Sequence, residues 1–159
     1  MLRWLPTAFN SLLAPEVANI DLYPTSLRPQ IDTITPWVQG LVNFGVYRAG
    51  FARTQSDYEA GVIPLFAALN QLEALVLQNG GPFILGKEMT ELDLRAYATI
   101  VRFDTIYVQH FKTNLGTIRH DYPVLNNWLK GVYFNVAGFR ESTDFKHIKE
   151  NVSLVDPFE

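Results

Sequence analysis

The sequence predicts an all-α domain of about five or six helices packed around one buried helix. Three observations lead there. Apolar residues recur at helical spacing in several segments, as at Tyr58, Val62, Leu65, Phe66, Leu69, Leu72, Leu75 and Val76. No segment alternates with the period of two that a half-buried strand requires. One stretch, from Thr90 to about His110, is apolar nearly all round, as a helix in the middle of a bundle must be.

Composition sets the frame. The 159 residues suffice for one domain with its own core, and 48% hydrophobic against 18% charged is a globular balance. A net charge of -3 gives no basic footprint for nucleic acid or an anionic membrane. No uninterrupted apolar run approaches the ~20 residues of a membrane span, so none is expected. Met1 to Pro6 is too short and too quickly polar for a secretory signal, which leaves the cytoplasm as the default location. The chain has no cysteine; disulfides, thiolate metal sites and a cysteine nucleophile are excluded within it.

Residues 1–23 read as an arm on the body: a short helix through Leu2, Trp4, Leu5, Phe9, Leu12 and Leu13, ended by Pro15, then an extended connector at Asp21–Pro24. Leu27, Ile31, Ile34, Trp37, Val38 and Leu41 predict a helix over 26–43, with Ser26 at its N-cap and Pro29 in its first turn. Pro36, inside it, should kink or split it. Residues 44–53 hold two glycines and no helical spacing, and predict a compact aromatic turn. Thr54 with Asp57 starts a helix over roughly 55–78, kinked at Pro64 and stopped by Asn79-Gly80-Gly81-Pro82.

Thr90 and Asp93 predict a capping box for the central helix, with Met89 and Leu94 placed for a hydrophobic staple. Its polar positions Glu91, Arg95, Thr99 and Arg102 fall on one narrow stripe. A polar loop is expected from Lys112 to Asp121, then a helix opened by Pro123, with Leu125, Trp128, Leu129, Val132 and Tyr133 on its apolar side. After a break at Val136–Phe139, Ser142 or Thr143 should cap a last short helix through His147 and Ile148, and Asn151 to Glu159 should be an extended or frayed tail.

Chemistry-bearing residues are sparse. The cap explains Asp93 better than catalysis does. Arg102-Phe103-Asp104 reads as an internal ion pair or a helix-end contact holding the next loop. His110, His120 and His147 lack metal-site spacing, and no phosphate-loop, dinucleotide or nucleophile-elbow motif is present. Tyr47, Tyr107 and Tyr133 are the polar aromatics suited to a pocket wall, although an amphipathic tyrosine usually closes a core. No catalytic residue, metal site or cofactor is assigned within this chain.

Gly81-Pro82-Phe83-Ile84-Leu85-Gly86 followed by Thr90-x-x-Asp93 resembles the C-terminal domain of the glutathione transferases. Asp21-Leu22-Tyr23-Pro24, Gly45-Val46-Tyr47-Arg48-Ala49-Gly50-Phe51-Ala52, Arg102-Phe103-Asp104 with Tyr107 to Lys112, and Thr143-Asp144-Phe145-x-His147-Ile148-Lys149 are similar to the xi class, the glutathionyl-hydroquinone reductases, and to fungal omega-like relatives. The resemblance covers roughly residues 2–150. It implies a glutathione transferase C-terminal domain-like bundle over 1–159, without the thioredoxin-like N-terminal domain that binds glutathione and supplies a catalytic cysteine in full-length members. There the cysteine attacks the sulfur of a glutathionyl-hydroquinone, and a second glutathione resolves the mixed disulfide. The helical domain lines the electrophile pocket, and two of its tyrosines bind the quinol oxygens. By motif position these resemble Tyr47 and Tyr133. Arg48 stands where the family usually has Lys.

Two functions are therefore expected as alternatives. One is the substrate-side domain of such an enzyme, inactive alone, with glutathione as cosubstrate of the full-length family. The other is a non-enzymatic interaction or dimerisation module of the same fold. The family habit also implies a homodimer, and a thioredoxin-like domain as partner if the full gene product has one.

Overall fold

The computed structural model describes Arg3, residues 8–14, Ala18 and residues 20–153. Part of the predicted N-terminal helix, residues 1, 2, 4–7 and 15, and the tail beyond Ser153 lie outside the described residues; among the described residues of the arm, Asn10–Leu12 forms a 3₁₀ turn. The described helices are α1 (Arg28–Trp37), α2 (Gly45–Gly50), α3 (Gln55–Asn79), α4 (Glu91–Arg102), α5 (Val108–His110), α6 (Ile118–Asp121), α7 (Pro123–Asn135) and α8 (Phe145–Ser153). Two π-helical segments, Val38–Asn43 and Phe103–Tyr107, continue α1 and α4. The architecture is an all-α bundle, with α4 buried against α1, the π segment after it and α7, and with α8 packed on the π continuation of α4.

α4 starts where the cap chemistry places it. Thr90 is in extended conformation, and its N–H donates to Asp93 Oδ2 at 2.9 Å. The reciprocal arm of the box is looser. Asp93 N–H makes its short bond to the Thr90 carbonyl, 3.1 Å, while the Thr90 hydroxyl donates to Asp93 Oδ2, also 3.1 Å. Asp93 reaches further than a cap. Its Oδ1 accepts the Ile84 N–H at 2.9 Å and the Trp128 indole N–H at 3.0 Å. One buried carboxylate thus ties together the 81–86 turn, the start of α4 and α7. The same turn is held to α3 by Asn79, whose amide donates to the Ile84 carbonyl at 2.8 Å.

The polar stripe of α4 is not a wet face. Glu91 and Thr99 are buried. Glu91 accepts Arg3 Nε and one terminal guanidinium nitrogen at 2.9–3.2 Å, and Arg95 Nε stands 3.7 Å away. Arg95 donates to Gln39 at 3.0 Å, and Thr99 to Asn43 Oδ1 at 3.0 Å. The stripe therefore joins α4 to the arm and to the first π segment. A buried charge needs such partners.

Several expectations need correction. α1 begins at Arg28 with no side-chain cap, so Ser26 is not its N-cap. Pro36 leaves α1 intact to Trp37, and the shift to π register comes directly after it. The expected turn at 44–53 is largely helix α2. Its two glycines mark close packing, not chain reversal: a Cβ on Gly45 would stand 3.3 Å from the Leu65 Cβ of α3, and one on Gly50 would overlap the Phe111 side chain. α3 carries a small residue on its own side of the contact, where a Cβ on Gly61 would stand 2.8 Å from the Ala49 backbone nitrogen of α2.

α3 runs uninterrupted through Pro64 and closes on Gly80, in left-handed conformation at φ 62°. Its length and composition alone would suit a membrane span. It is instead packed against α2 and α7 and buries Gly61, Val62, Leu65, Ala68, Leu69, Leu72 and Val76. Within the predicted 112–121 loop, Ile118–Asp121 is a helical turn. α8 is capped by Asp144, whose Oδ1 accepts the His147 N–H at 3.0 Å. Ser142 and Thr143 donate to the Phe139 carbonyl instead. α8 continues through Ser153, so the start of the predicted tail is helical.

Candidate functional site

Both π segments open onto one cleft of about 620 Å³, within the ~300–1,000 Å³ range of small-molecule sites. Asn43 and Phe44 come from the first segment and its end, Tyr47 from α2, and Arg102, Ile106 and Tyr107 from α4 and its π continuation. A π turn adds a residue to the helical circuit and so rotates the residues beyond it. At Phe103–Tyr107 that rotation leaves Phe103 buried and brings Tyr107 toward α2.

The Tyr47 and Tyr107 hydroxyls are 3.2 Å apart and share a hydrogen bond. Tyr47 is 40% exposed and Tyr107 5%, so one hydroxyl of the pair is presented to the cleft from a buried support. Phe111 packs edge-on against both rings, at centroid distances of 5.4 and 5.2 Å. Burial first, and then the hydrogen bond with Tyr47, push the Tyr107 phenol well above the usual tyrosine range, while the charge of Arg102 pulls it down. Tyr107 is therefore a neutral hydroxyl at physiological pH.

Tyr133 is not among the residues lining this cleft. It lies on α7 against Phe134 and Phe145, at ring distances of 4.8 and 5.9 Å. The structure thus brings Tyr47 together with Tyr107, not with Tyr133. His147, given no site role by the sequence, lines the cleft from α8.

Arg102 and Asp104 do not form the anticipated ion pair. Arg102 donates to the Ala98 carbonyl at 2.6 Å, and Asp104 accepts the N–H groups of Ile118 and Arg119 at 2.7 and 3.0 Å. The helix-end alternative describes Asp104. Thr90 and Asp93 stand at the opposite end of α4, away from the cleft lining.

Comparison with known proteins decides the relationship. Residues 55–131 match the family model described as glutathione S-transferase, C-terminal domain. The chain is 48% identical to the xi glutathione transferase of Phanerochaete chrysosporium, with a TM-score of 0.90 over 94% of this chain and 47% of that one. This chain is a C-terminal helical domain of the glutathione S-transferase type. It is also similar to the glutathione S-transferase omega-like 2 of Schizosaccharomyces pombe, 49% identical over 94% of this chain and 48% of that protein. To the glutathionyl-hydroquinone reductase YqjG of Escherichia coli it is 37% identical, over 95% of this chain and 44% of that protein. The chain spans about half the length of these relatives and corresponds to the glutathione transferase C-terminal helical domain.

Proposed function

We propose that this chain is the substrate-side domain of a glutathionyl-hydroquinone reductase-type glutathione transferase, and that it acts only with a thioredoxin-like, glutathione-binding domain. The observation that supports this best is the Tyr47–Tyr107 hydroxyl pair at 3.2 Å in a cleft walled by Phe44, Phe111 and Ile106. Apolar walls take up an aromatic ring, and the hydroxyl donates to its oxygen. In the transfer itself a thiolate attacks the glutathione sulfur, the electrons of the broken C–S bond pass to the ring, and a ring carbon takes up a proton. No residue of this chain supplies that thiolate, because it contains no cysteine.

Tyr47 holds the quinol oxygen in this reading, and Tyr107 holds Tyr47. Tyr133, outside the cleft lining, would contribute only through the packing of α7 on α8. The test is calorimetric titration of the purified chain with a glutathionyl-naphthohydroquinone. Binding is expected, weakened about 3–10-fold by Tyr47→Phe, the worth of one neutral hydrogen bond, and little changed by Tyr133→Phe. Equal affinity for wild type and Tyr47→Phe would refute the site. Glutathione-dependent turnover by the purified chain would refute its dependence on a second domain.

A further inference from the structure

The proposed reading gives no role to Arg102, the permanent charge of the cleft. Arg102 lines it, yet among the described residues no carboxylate pairs with Arg102; its contact is the Ala98 carbonyl. Arg3 and Arg95, by comparison, both reach the buried Glu91. Among the described residues the cleft lining contains no Asp or Glu, in a chain with 16 acidic residues and a net charge of -3. Its ionisable groups are Arg102, His147 and the two tyrosines. A permanent cation beside two hydroxyls and apolar walls, with no carboxylate among the described lining residues, is an arrangement suited to an aromatic ring that carries negative charge.

We propose that Arg102 makes the Tyr47 cleft selective for aromatic ligands bearing an anionic oxygen, a carboxylate or a phenolate. This rests on the reading of the cleft as an aromatic-ligand site and adds the ligand's charge to it. The aromatic ring lies against Phe44 and Phe111, and its anionic oxygen meets the guanidinium at the Tyr47–Tyr107 end. The positive charge is already felt there, since Arg102 acts on the Tyr107 hydroxyl. Arg102 is a binding and specificity residue, with no part in bond making.

The test compares 2-naphthoate with its neutral counterpart 2-naphthalenemethanol by calorimetry on the purified chain. A second anionic arm, 4-nitrophenolate above its ionisation, separates carboxylate from phenolate preference. Naphthoate is expected to bind about tenfold more tightly than the alcohol, as a charge-assisted hydrogen bond exceeds a neutral one. Arg102→Gln should abolish that preference, chiefly through lost naphthoate affinity, and Arg102→Lys should restore part of it. Added salt should narrow the gap in wild type alone.

Equal affinities in wild type, or a preference that survives Arg102→Gln, would overturn the inference while leaving the aromatic site intact. Failure of all three probes to bind would overturn both. Displacement of naphthoate by millimolar glutathione from wild type, but not from Arg102→Gln, would assign the cation to glutathione and also overturn it. If Arg102→Gln lowers the melting temperature, the Arg102→Lys variant and the salt dependence carry the test.

Discussion

Replacing Asp93 with Ala should disable the fold rather than the chemistry, and the structure sets the size of the effect. The carboxylate accepts four hydrogen bonds: from Thr90 N–H, the Thr90 hydroxyl, Ile84 N–H and the Trp128 indole. Thr90 and Asp93 are fully buried and Trp128 nearly so, so the abandoned donors do not face bulk solvent. A lost cap alone costs about 1 kcal/mol. Buried donors left unmet cost about 1–3 kcal/mol each, which a water entering the new cavity would partly offset. About 3–5 kcal/mol is the resulting expectation. Against a total stability of about 5–15 kcal/mol, that is a large fraction. For a domain of this size it corresponds to roughly 10 °C in melting temperature. Thermal and urea unfolding followed by circular dichroism measures it. A drop of less than about 2 °C would refute the description of Asp93 as the joint between the 81–86 turn, α4 and α7.

The same carboxylate makes a pH prediction. Burial raises its pKa above the ordinary 3.8, against the lowering effect of its four donors. The folded state therefore holds the proton more tightly than the unfolded chain. Stability from this group is full below the unfolded pKa and falls as pH rises through the folded one. Asp93→Asn removes the titration and keeps one acceptor oxygen. Wild type should be more stable than Asp93→Asn at every pH, with its advantage shrinking as pH rises from about 4 and levelling once the folded carboxyl has ionised. An advantage that grows over that range would mean that the donors outweigh burial.

Two further substitutions test the packing. Gly61→Ala puts a Cβ 2.8 Å from the Ala49 backbone, and should cost about 1–3 kcal/mol by forcing α2 from α3; because α2 carries Tyr47, aromatic-probe affinity should fall as well, measured by the same titrations. Arg3→Ala removes the nearer partner of buried Glu91, but Arg3 is 43% exposed and Arg95 remains at 3.7 Å. The expected loss is about 1–2 kcal/mol in urea unfolding, below that of a fully buried pair, and Glu91→Gln in the same background should recover part of it.

What the sequence makes legible is what local chemistry decides. The Thr54 and Thr90 helix starts and the Gly80 stop need only neighbours a few residues away, and each is read correctly from spacing. Distant groups are another matter. α7 begins at Pro123 as expected, but its free Val124 and Leu125 N–H groups are met at 2.8 and 2.7 Å by Glu73 of α3, from far earlier in the chain. α6 is a helix because Asp104 accepts its first amides as well as Thr117. The Thr117 cap lies within the 112–121 window, and the Asp104 contribution lies outside it. Glycine misleads in the same way: it marks reversal at Gly80 but close packing at Gly45 and Gly50, against Leu65 and Phe111, and only the distant partner distinguishes the two.

The cleft shows why its residues were harder to find than the helix that bears them. Tyr47 stands in a motif. Tyr107 and Arg102 belong to the same helix run as Asp93, and a regular α-helix has no reason to turn both toward α2 while keeping Phe103 in the core. The π segment supplies that rotation, and Thr99 bonded to Asn43 fixes the opposite π segment against it. One helix run therefore serves two ends. Its first turn, through Asp93, fastens the bundle, while Arg102 at the end of α4 and Tyr107 in the π turn after it present a cation and a hydroxyl to the cleft. Changes at Asp93 should accordingly appear in stability before affinity, and changes at Arg102 in affinity before stability. A variant at either end that reversed this order would show that α4 does not hold the two functions apart.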